Sequence, residues 1–238
     1  MDTGLSVDEI YQILEGEIVS LEIKPGEMLS ENTLCKRFSI SRTPVRSALQ
    51  RLEQNRFVQI IPHKGTIVTP INLHIANQLI YQRVAVESMV FRDFVKVCTP
   101  PEAEQARYRL RMLEEAGAKR HEPGPFDIND FLHRDLAMHE IWFRSTDKMY
   151  LWEQLIKPDA DYSRFIRLDI VGARNVPDVL ENHQEMMQII DTKNLDAIEP
   201  LMMQHLYGGI RRLGGKIFSD EYREYFEMGI RDRSCSGG

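Results

Sequence analysis

The sequence has little cysteine. Cys35, Cys98 and Cys235 are odd in number, far apart, and lack the short spacing of a metal knuckle. A disulfide framework and a zinc finger are therefore excluded, and the thiols fit a reducing cytoplasm. No apolar run reaches about 18 residues, and no cationic N-terminal stretch leads into an apolar one, so neither membrane spanning nor secretion is expected. A Gly-rich phosphate loop, a GxSxG elbow and an HExxH helix are all missing, which leaves enzymatic chemistry without a positive signal. There is no cation excess either. The formal net charge of −6 argues against a protein that coats nucleic acid indiscriminately. What remains is a chain of 238 residues, 42% hydrophobic and 28% charged, proportioned as one or two soluble globular domains.

One window stands apart from that acidic background. From Lys36 to Lys64 the cations are Lys36, Arg37, Arg42, Arg46, Arg51, Arg56 and Lys64, against the single acid Glu53. At its centre, residues 41–52 read as a short helix with two faces. Ser41 or Thr43 can cap it, and Pro44 is tolerated only in a first turn. Val45, Leu49 and Leu52 form an apolar stripe at i, i+4 and i+7. Arg42, Arg46 and Gln50 lie one turn apart on another face, the equipment for reading base edges in a major groove. An ordinary solvated basic helix has the same face, so the flanking elements decide. Val7, Ile10, Tyr11, Leu14 and Ile18 make an amphipathic helix over about 7–20, and Lys24-Pro25-Gly26 a turn. Ser30 can cap a second short helix over 31–38, tightly connected to the basic helix by Ser39-Ile40-Ser41. Residues 57–61 read as a strand, Pro62-His63-Lys64-Gly65 as a turn and 66–68 as a return strand. The order is that of a winged helix-turn-helix, with Arg42, Thr43, Arg46 and Gln50 on the reading helix. His63, Lys64 and Gly65 form the wing tip, and all seven are candidate contacts to double-stranded DNA.

Beyond Thr69-Pro70 strand signals vanish. Helical periodicity runs over about 72–97, 101–119, 126–146, 148–157, 159–172, 177–192 and 195–214, with breaks such as Glu122-Pro123-Gly124-Pro125, Lys157-Pro158 and Val171-Gly172. The expected fold class is mainly α: an N-terminal winged helix-turn-helix domain plus a C-terminal all-α bundle of six or seven helices. The expected domains are 1–70 for DNA binding, 71–217 for effector and metal binding and dimerisation, and a C-terminal tail over 218–238. The tail's last eight residues are expected to be disordered.

Histidine numbers seven, so its placement is informative. Asp135 and His139 lie four apart on one expected helix and share a face. His183 falls near the start of the next-to-last bundle helix and His205 in the middle of the last. If those two helices pack antiparallel about the turn at 192–194, one carboxylate and three imidazoles can converge in the bundle interior. That set suits a divalent transition metal (zinc, nickel or manganese) with positions left open for water or a ligand. Buried without partners it would cost on the order of several kcal/mol, so an ion or a dense hydrogen-bond network has to compensate. A surface ion pair at 135 and 139 with solvated histidines elsewhere fits the same spacing. Arg83 and Glu87 form another i, i+4 pair in apolar surroundings; Glu87 is either the partner that Arg83 needs, or Arg83 holds an acidic small molecule. Met186-Met187, Met202-Met203, Trp142 and Trp152 read as core.

These motifs resemble the GntR family of bacterial transcription regulators, in its FadR-like subfamily with an FCD-type effector domain. The N-terminal resemblance rests on Lys24-Pro25-Gly26-Glu27-Met28-Leu29, Ser41-Arg42-Thr43-Pro44-Val45-Arg46 and Leu49-Gln50-Arg51-Leu52-Glu53. The C-terminal one rests on Arg83 with Glu87, Asp135-Leu136-Ala137-Met138-His139, Glu181-Asn182-His183 and His205-Leu206. The resemblance implies that Asp135, His139, His183 and His205 are metal ligands, that Arg42 and Arg46 read DNA, that Lys64-Gly65 meets the minor groove, and that Arg83 meets an effector carboxylate. Three positions depart from the family pattern. Ser39 stands where the turn usually has Gly, Arg56 where a Gly commonly precedes the wing's first strand, and Asp147-Lys148 where Gly-Asn is usual. At the second of these, Asn55 is the residue expected to supply any positive φ.

The expected function is that of a cytoplasmic DNA-binding regulator, a repressor in the first instance. It would act as a homodimer on a palindromic operator and answer a small organic acid at the metal site. A regulator with the ion itself as signal and, more remotely, a metal-dependent hydrolase are the alternatives.

Overall fold

The computed structural model describes residues 5–170 and 175–226. It is mainly helical with one small antiparallel sheet. Among the described residues the chain divides into two compact units, the first drawn from 5–76, 159–165 and 215–226 and the second from 77–158, 166–170 and 175–214.

In the first unit, α1 (Val7–Val19) starts at a capping box in which Ser6 and Glu9 satisfy each other's backbone N–H. Ser30 caps α2 (Glu31–Phe38), as its position in the sequence predicts, by accepting from the Thr33 N–H. Ser41 is the N-cap of α3 (Arg42–Gln54). The strands are β1 (Met28–Leu29), β2 (Val58–Ile61) and β3 (Gly65–Val68), with β3 in the middle. β1 was not expected; two residues are too few for an alternating pattern, and only the pairing of Met28 with Ile67 and Leu29 with Thr66 makes them a strand. One face of α3 buries Val45, Ala48, Leu49 and Leu52 against Ile10, Leu14, Ile18, Leu34, Phe57 and Val68.

All three positions where glycine was missed have left-handed backbone. Ser39 has φ 54°, Arg56 φ 65° and Asp147 φ 55°. Asn55, expected to supply that conformation before the wing, instead has φ −91°. The reason is what holds Arg56 in place, since its guanidinium bridges Asp159 (3.1 Å) and Asp161 (3.2 Å) and its carbonyl accepts from Thr69 Oγ1 at 2.7 Å.

Those aspartates belong to a segment that is distant in sequence. Ala160 joins the core of the first unit, and Asp161 accepts the Asn72 N–H at 2.8 Å. Arg164 is 0% exposed and donates to Thr69 O (2.6 Å), Thr69 Oγ1 (3.2 Å), Pro70 O (3.4 Å) and Ala160 O. Burial pulls its pKa down to about 10, with Asp161 and Asp159 offsetting part of that effect. In the same unit Ile71 donates to Tyr225 O at 2.7 Å, so residues 219–226 pack rather than trail, with Tyr222 and Phe226 buried. The disorder expected for the last eight residues lies outside the described residues.

The second unit is built from α4 (Leu73–Val97), α5 (Pro100–Ala118), α6 (Ile128–Ser145), α7 (Met149–Leu155), α8 (Tyr162–Ile170), α9 (Val176–Thr192), α10 (Ile198–Leu206) and α11 (Gly208–Leu213). Two of these helices, α4 and α8, begin in the first unit. Phe91 and Phe94 pack on Trp142 with ring centroids 4.8 and 4.9 Å apart, in a core shared with Met186, Met202 and Trp152. The single helix expected over 195–214 is a 3-10 turn followed by α10 and α11, interrupted at Tyr207 ahead of Gly208-Gly209. Two successive glycines lower helix propensity by about 1 kcal/mol each. The break expected at Val171-Gly172 lies outside the described residues. A short α12 (Asp220–Arg223) follows in the first unit.

Ser39→Gly and Asp147→Gly are each expected to stabilise the protein. Left-handed backbone costs an L-residue roughly 1–2 kcal/mol, and glycine's freedom in the unfolded chain takes back roughly 0.5–1 kcal/mol. The remaining gain of roughly 0–1.5 kcal/mol raises the melting temperature by up to about 6 °C. A lower melting temperature in either variant contradicts the left-handed backbone there. Arg164→Met, which keeps volume but strands Asp161 and several carbonyls, is expected to lose about 2–4 kcal/mol in urea unfolding. A loss below about 1 kcal/mol would mean that water replaces the guanidinium at little cost.

Candidate functional sites

The face of α3 opposite the core carries Arg42, Thr43, Arg46 and Gln50, all exposed. The wing turn ends in His63 (φ 62°), Lys64 and Gly65, also exposed. Gly65 is favoured by its φ of 123°; a Cβ there would also stand 3.0 Å from the Met28 methyl, which is exposed and free to give way. The sequence did not reveal the partners of the arginines. Arg46 forks onto Glu31 with Nε–Oε1 and Nη2–Oε2 both 3.1 Å, and those bonds hold the Glu31 carboxyl below its usual range. Arg42 donates to Asn32 Oδ1 at 3.0 Å. Elsewhere in the basic window Arg37 pairs with Glu17, Arg51 with Asp8, and Arg56 with Asp159 and Asp161. Much of the seven-to-one imbalance is thus answered by acids from outside the window, which a count along the chain does not register.

In the second unit, α6 supplies Asp135 and His139, α9 supplies His183 and α10 supplies His205. One ligand atom from each lies within 4.8 Å of all the others. His139 and His183 are 0% exposed, and the three imidazole rings are 4.9–5.2 Å apart by centroid. His139 Nδ1 is 2.6 Å from Glu87 Oε2, and His183 Nδ1 is 2.7 Å from Val179 O. A carboxylate and a carbonyl only accept, so both rings donate from Nδ1, and each neutral ring then carries a lone pair on Nε2. Those two Nε2 atoms face each other at 3.2 Å, and His183 Nε2 lies 3.3 Å from Asp135 Oδ1. Burial lowers the pKa of His183 despite the opposing charge of Asp135, so the proton that would relieve the clash is disfavoured. Three acceptors around one point call for a cation. Donors about 2.1 Å from a single tetrahedral or octahedral ion stand about 3.0–3.4 Å apart, matching these separations.

His205 Nδ1 is shielded from solvent and has no hydrogen-bond partner among the described residues. Burial drives its pKa well below the ordinary imidazole value, and the neighbouring His183 and His139, then Arg83 and Arg212, push the same way. The residues therefore fit a divalent metal by donor chemistry and by an orphaned ring nitrogen. Arg83 donates from Nε to Glu87 Oε1 at 2.5 Å. Burial acts to raise the Glu87 carboxyl, but Arg83 and His139 outweigh it and hold the pKa at about 2. The i, i+4 spacing foretold the Arg83–Glu87 pair. The bond from Glu87 to His139, 52 positions away, had no sequence signal.

Two family descriptions match the chain, "Bacterial regulatory proteins, gntR family" over residues 6–68 and "FCD domain" over 78–208. Among curated relatives, the HTH-type transcriptional repressor RspR of Escherichia coli (strain K12) is 28% identical over 200 residues, covering 83% of this chain and 84% of its own. The gluconate operon transcriptional repressor of Bacillus subtilis (strain 168) is 28% identical over 200 residues, covering 82% and 77%. Two solved structures share the fold. E. coli McbR/YncC has a TM-score of 0.64 at 18% identity, covering 87% of this chain and 96% of that one. A putative transcriptional regulator GntR from Rhodococcus sp. RHA1 has a TM-score of 0.67 at 20% identity, covering 88% and 98%.

If the cluster is built for an ion, its residues are a liability without one. His205→Leu removes the orphaned Nδ1, so the metal-free variant is expected to be as stable as the wild type or about 1 kcal/mol more so. The rise in melting temperature on adding zinc is expected to shrink. A variant that is destabilised without metal yet stabilised by zinc as fully as the wild type overturns this assignment of His205.

Proposed function

The chain belongs to the GntR family of bacterial regulatory proteins and carries an FCD domain, and from that premise we propose a repressor governed by a small carboxylate. The carboxylate acts at a divalent metal held by Asp135, His139, His183 and His205. The family is one of DNA-binding transcription regulators and not of enzymes. Repression is the sense proposed because two relatives are named repressors. Arg42, Thr43, Arg46 and Gln50 read the major groove, and His63, Lys64 and Gly65 approach the backbone beside it. One such helix covers too few base pairs for specificity in a genome, so two copies of the chain act together on a palindromic operator. No described helix is long and apolar enough to cross a membrane, in keeping with a cytoplasmic site of action.

The observation that carries the metal reading is the convergence of four ligand atoms, with the Nε2 atoms of His139 and His183 3.2 Å apart beside Asp135. A bound metal of this donor set keeps open coordination positions that a carboxylate can fill. Arg83, charged and mostly buried, is the side chain proposed to meet the same carboxylate. The ligand shifts operator binding only by its different affinity for two arrangements of the protein. The chain passes between the two units near residues 76, 158, 165 and 214, and those passages are where such a change is transmitted.

The test is a thermal-shift screen of metal-replete protein against small carboxylates and sugar acids, gluconate among them, repeated after chelation. Binding at a hundred times the dissociation constant stabilises by about 2.7 kcal/mol. A shift with one acid that vanishes on chelation is the expected result. A large loss on chelation with no shift for any acid replaces this reading by one in which the ion itself is the signal. Two variants divide the roles. Arg46→Ala is expected to abolish the operator gel shift while keeping the acid-induced melting shift, and His183→Ala the reverse. An unchanged gel shift for Arg46→Ala removes that residue from the reading face.

A further inference from the structure

We infer that Glu87 is a positioning residue for the metal site, fixing His139 as a ligand and linking it to the side chain proposed to meet the effector. This rests on the metal reading above. Glu87 sits on α4, one turn beyond Arg83, and its side chain is 0% exposed. Its two oxygens serve different partners: Oε1 accepts from Arg83 Nε at 2.5 Å, and Oε2 accepts from His139 Nδ1 at 2.6 Å. His139 reaches this point from α6, so the contact ties two helices together through a single buried carboxylate.

The second bond is what makes Glu87 more than the counter-charge of Arg83. An imidazole that donates from Nδ1 to an anionic acceptor keeps its lone pair on Nε2, cannot flip its ring, and becomes a stronger ligand. Among the three histidines the Nδ1 partners differ. His139 has a carboxylate, His183 the carbonyl of Val179, and His205 Nδ1 no partner among the described residues. His139 is thus the ring whose donor strength is set by a full negative charge. Arg83 shares that charge. Whatever draws the guanidinium toward an incoming anion leaves more of the carboxylate for His139, and metal and anion then strengthen each other's binding. Reciprocity requires that coupling to run both ways.

The experiment measures zinc affinity by chelator competition, with the visible spectrum of the cobalt-loaded protein as a second readout. It is run on the full chain as wild type, Glu87→Gln and Arg83→Met. Both substitutions break the same ion pair, so a merely structural role for Glu87 makes them alike. We expect Glu87→Gln to weaken zinc binding by about 10–100-fold and to shift the cobalt bands. Arg83→Met, which leaves the Glu87–His139 bond in place, retains wild-type affinity or exceeds it. Wild-type zinc affinity in Glu87→Gln overturns the inference while leaving the metal reading intact. So does a loss of affinity in both variants that tracks the fall in their metal-free melting temperatures. A wild-type chain that binds neither zinc nor cobalt overturns the metal reading itself. If Glu87→Gln does not fold, Glu87→Asp retracts the carboxylate by one methylene while keeping its charge, and the same loss of affinity is expected.

Discussion

Two imidazole nitrogens, each with its proton committed elsewhere, face each other across 3.2 Å in a water-poor interior. Most of the second unit's polar chemistry follows from that constraint. Glu87 and Val179 take the Nδ1 protons, which turns both Nε2 lone pairs inward, and Asp135 adds a third acceptor. With the rings neutral, no member of the cluster can donate to the others, so hydrogen bonding within it does not relieve the set. Protonating a ring relieves it only at the cost of a buried charge, against which burial already biases His183. A divalent cation satisfies all the lone pairs at once. The aromatic packing around it, with Trp142 against Phe91 and Phe94, holds α4 and α6 at the separation that lets Glu87 span them.

A second buried charge organises the first unit in the opposite way. Arg164 brings five N–H donors into an interior of acceptors, the carbonyls of Thr69, Pro70 and Ala160 and the hydroxyl of Thr69. The acceptors on Thr69 and Pro70 lie on the stretch between the wing and α4, where a chain without secondary structure has carbonyls to spare. Residues 159–165 are therefore part of the winged-helix unit although more than eighty residues of bundle precede them. Their aspartates reach Arg56, whose left-handed backbone opens the wing hairpin. The wing's starting geometry thus depends on side chains from far along the sequence.

Legibility in the sequence follows the range of the interactions. Several features set by spacing within a helix or hairpin were visible, including the Ser30 cap, the stripe of Val45, Leu49 and Leu52, the wing turn and the Arg83–Glu87 pair. The meeting of Asp135 and His139 with His183 and His205 was readable as a possibility from two spacings, and the family resemblance turned it into an expectation. All three positions where the family usually has glycine have positive φ, but that conformation was expected only at Asn55, and it is Arg56 that takes it. What stayed hidden were contacts between side chains with no fixed offset: Glu31 on Arg46, Asp159 and Asp161 on Arg56, Glu87 on His139. β1 was hidden for a related reason, since two residues form a strand only when a partner is already there.

The pairing of Arg46 with Glu31 bears on how a protein of net charge −6 reads DNA. A solvent-exposed ion pair is screened and worth little, whereas a bidentate arginine on guanine discriminates strongly between bases. On the DNA-reading assignment, leaving Glu31 costs Arg46 the same small amount at every sequence. Only a correctly placed guanine returns more than that cost. Glu31 therefore lowers affinity for all DNA while leaving the difference between right and wrong sites in place. In a genome crowded with wrong sites, it is that difference that sets occupancy of the operator.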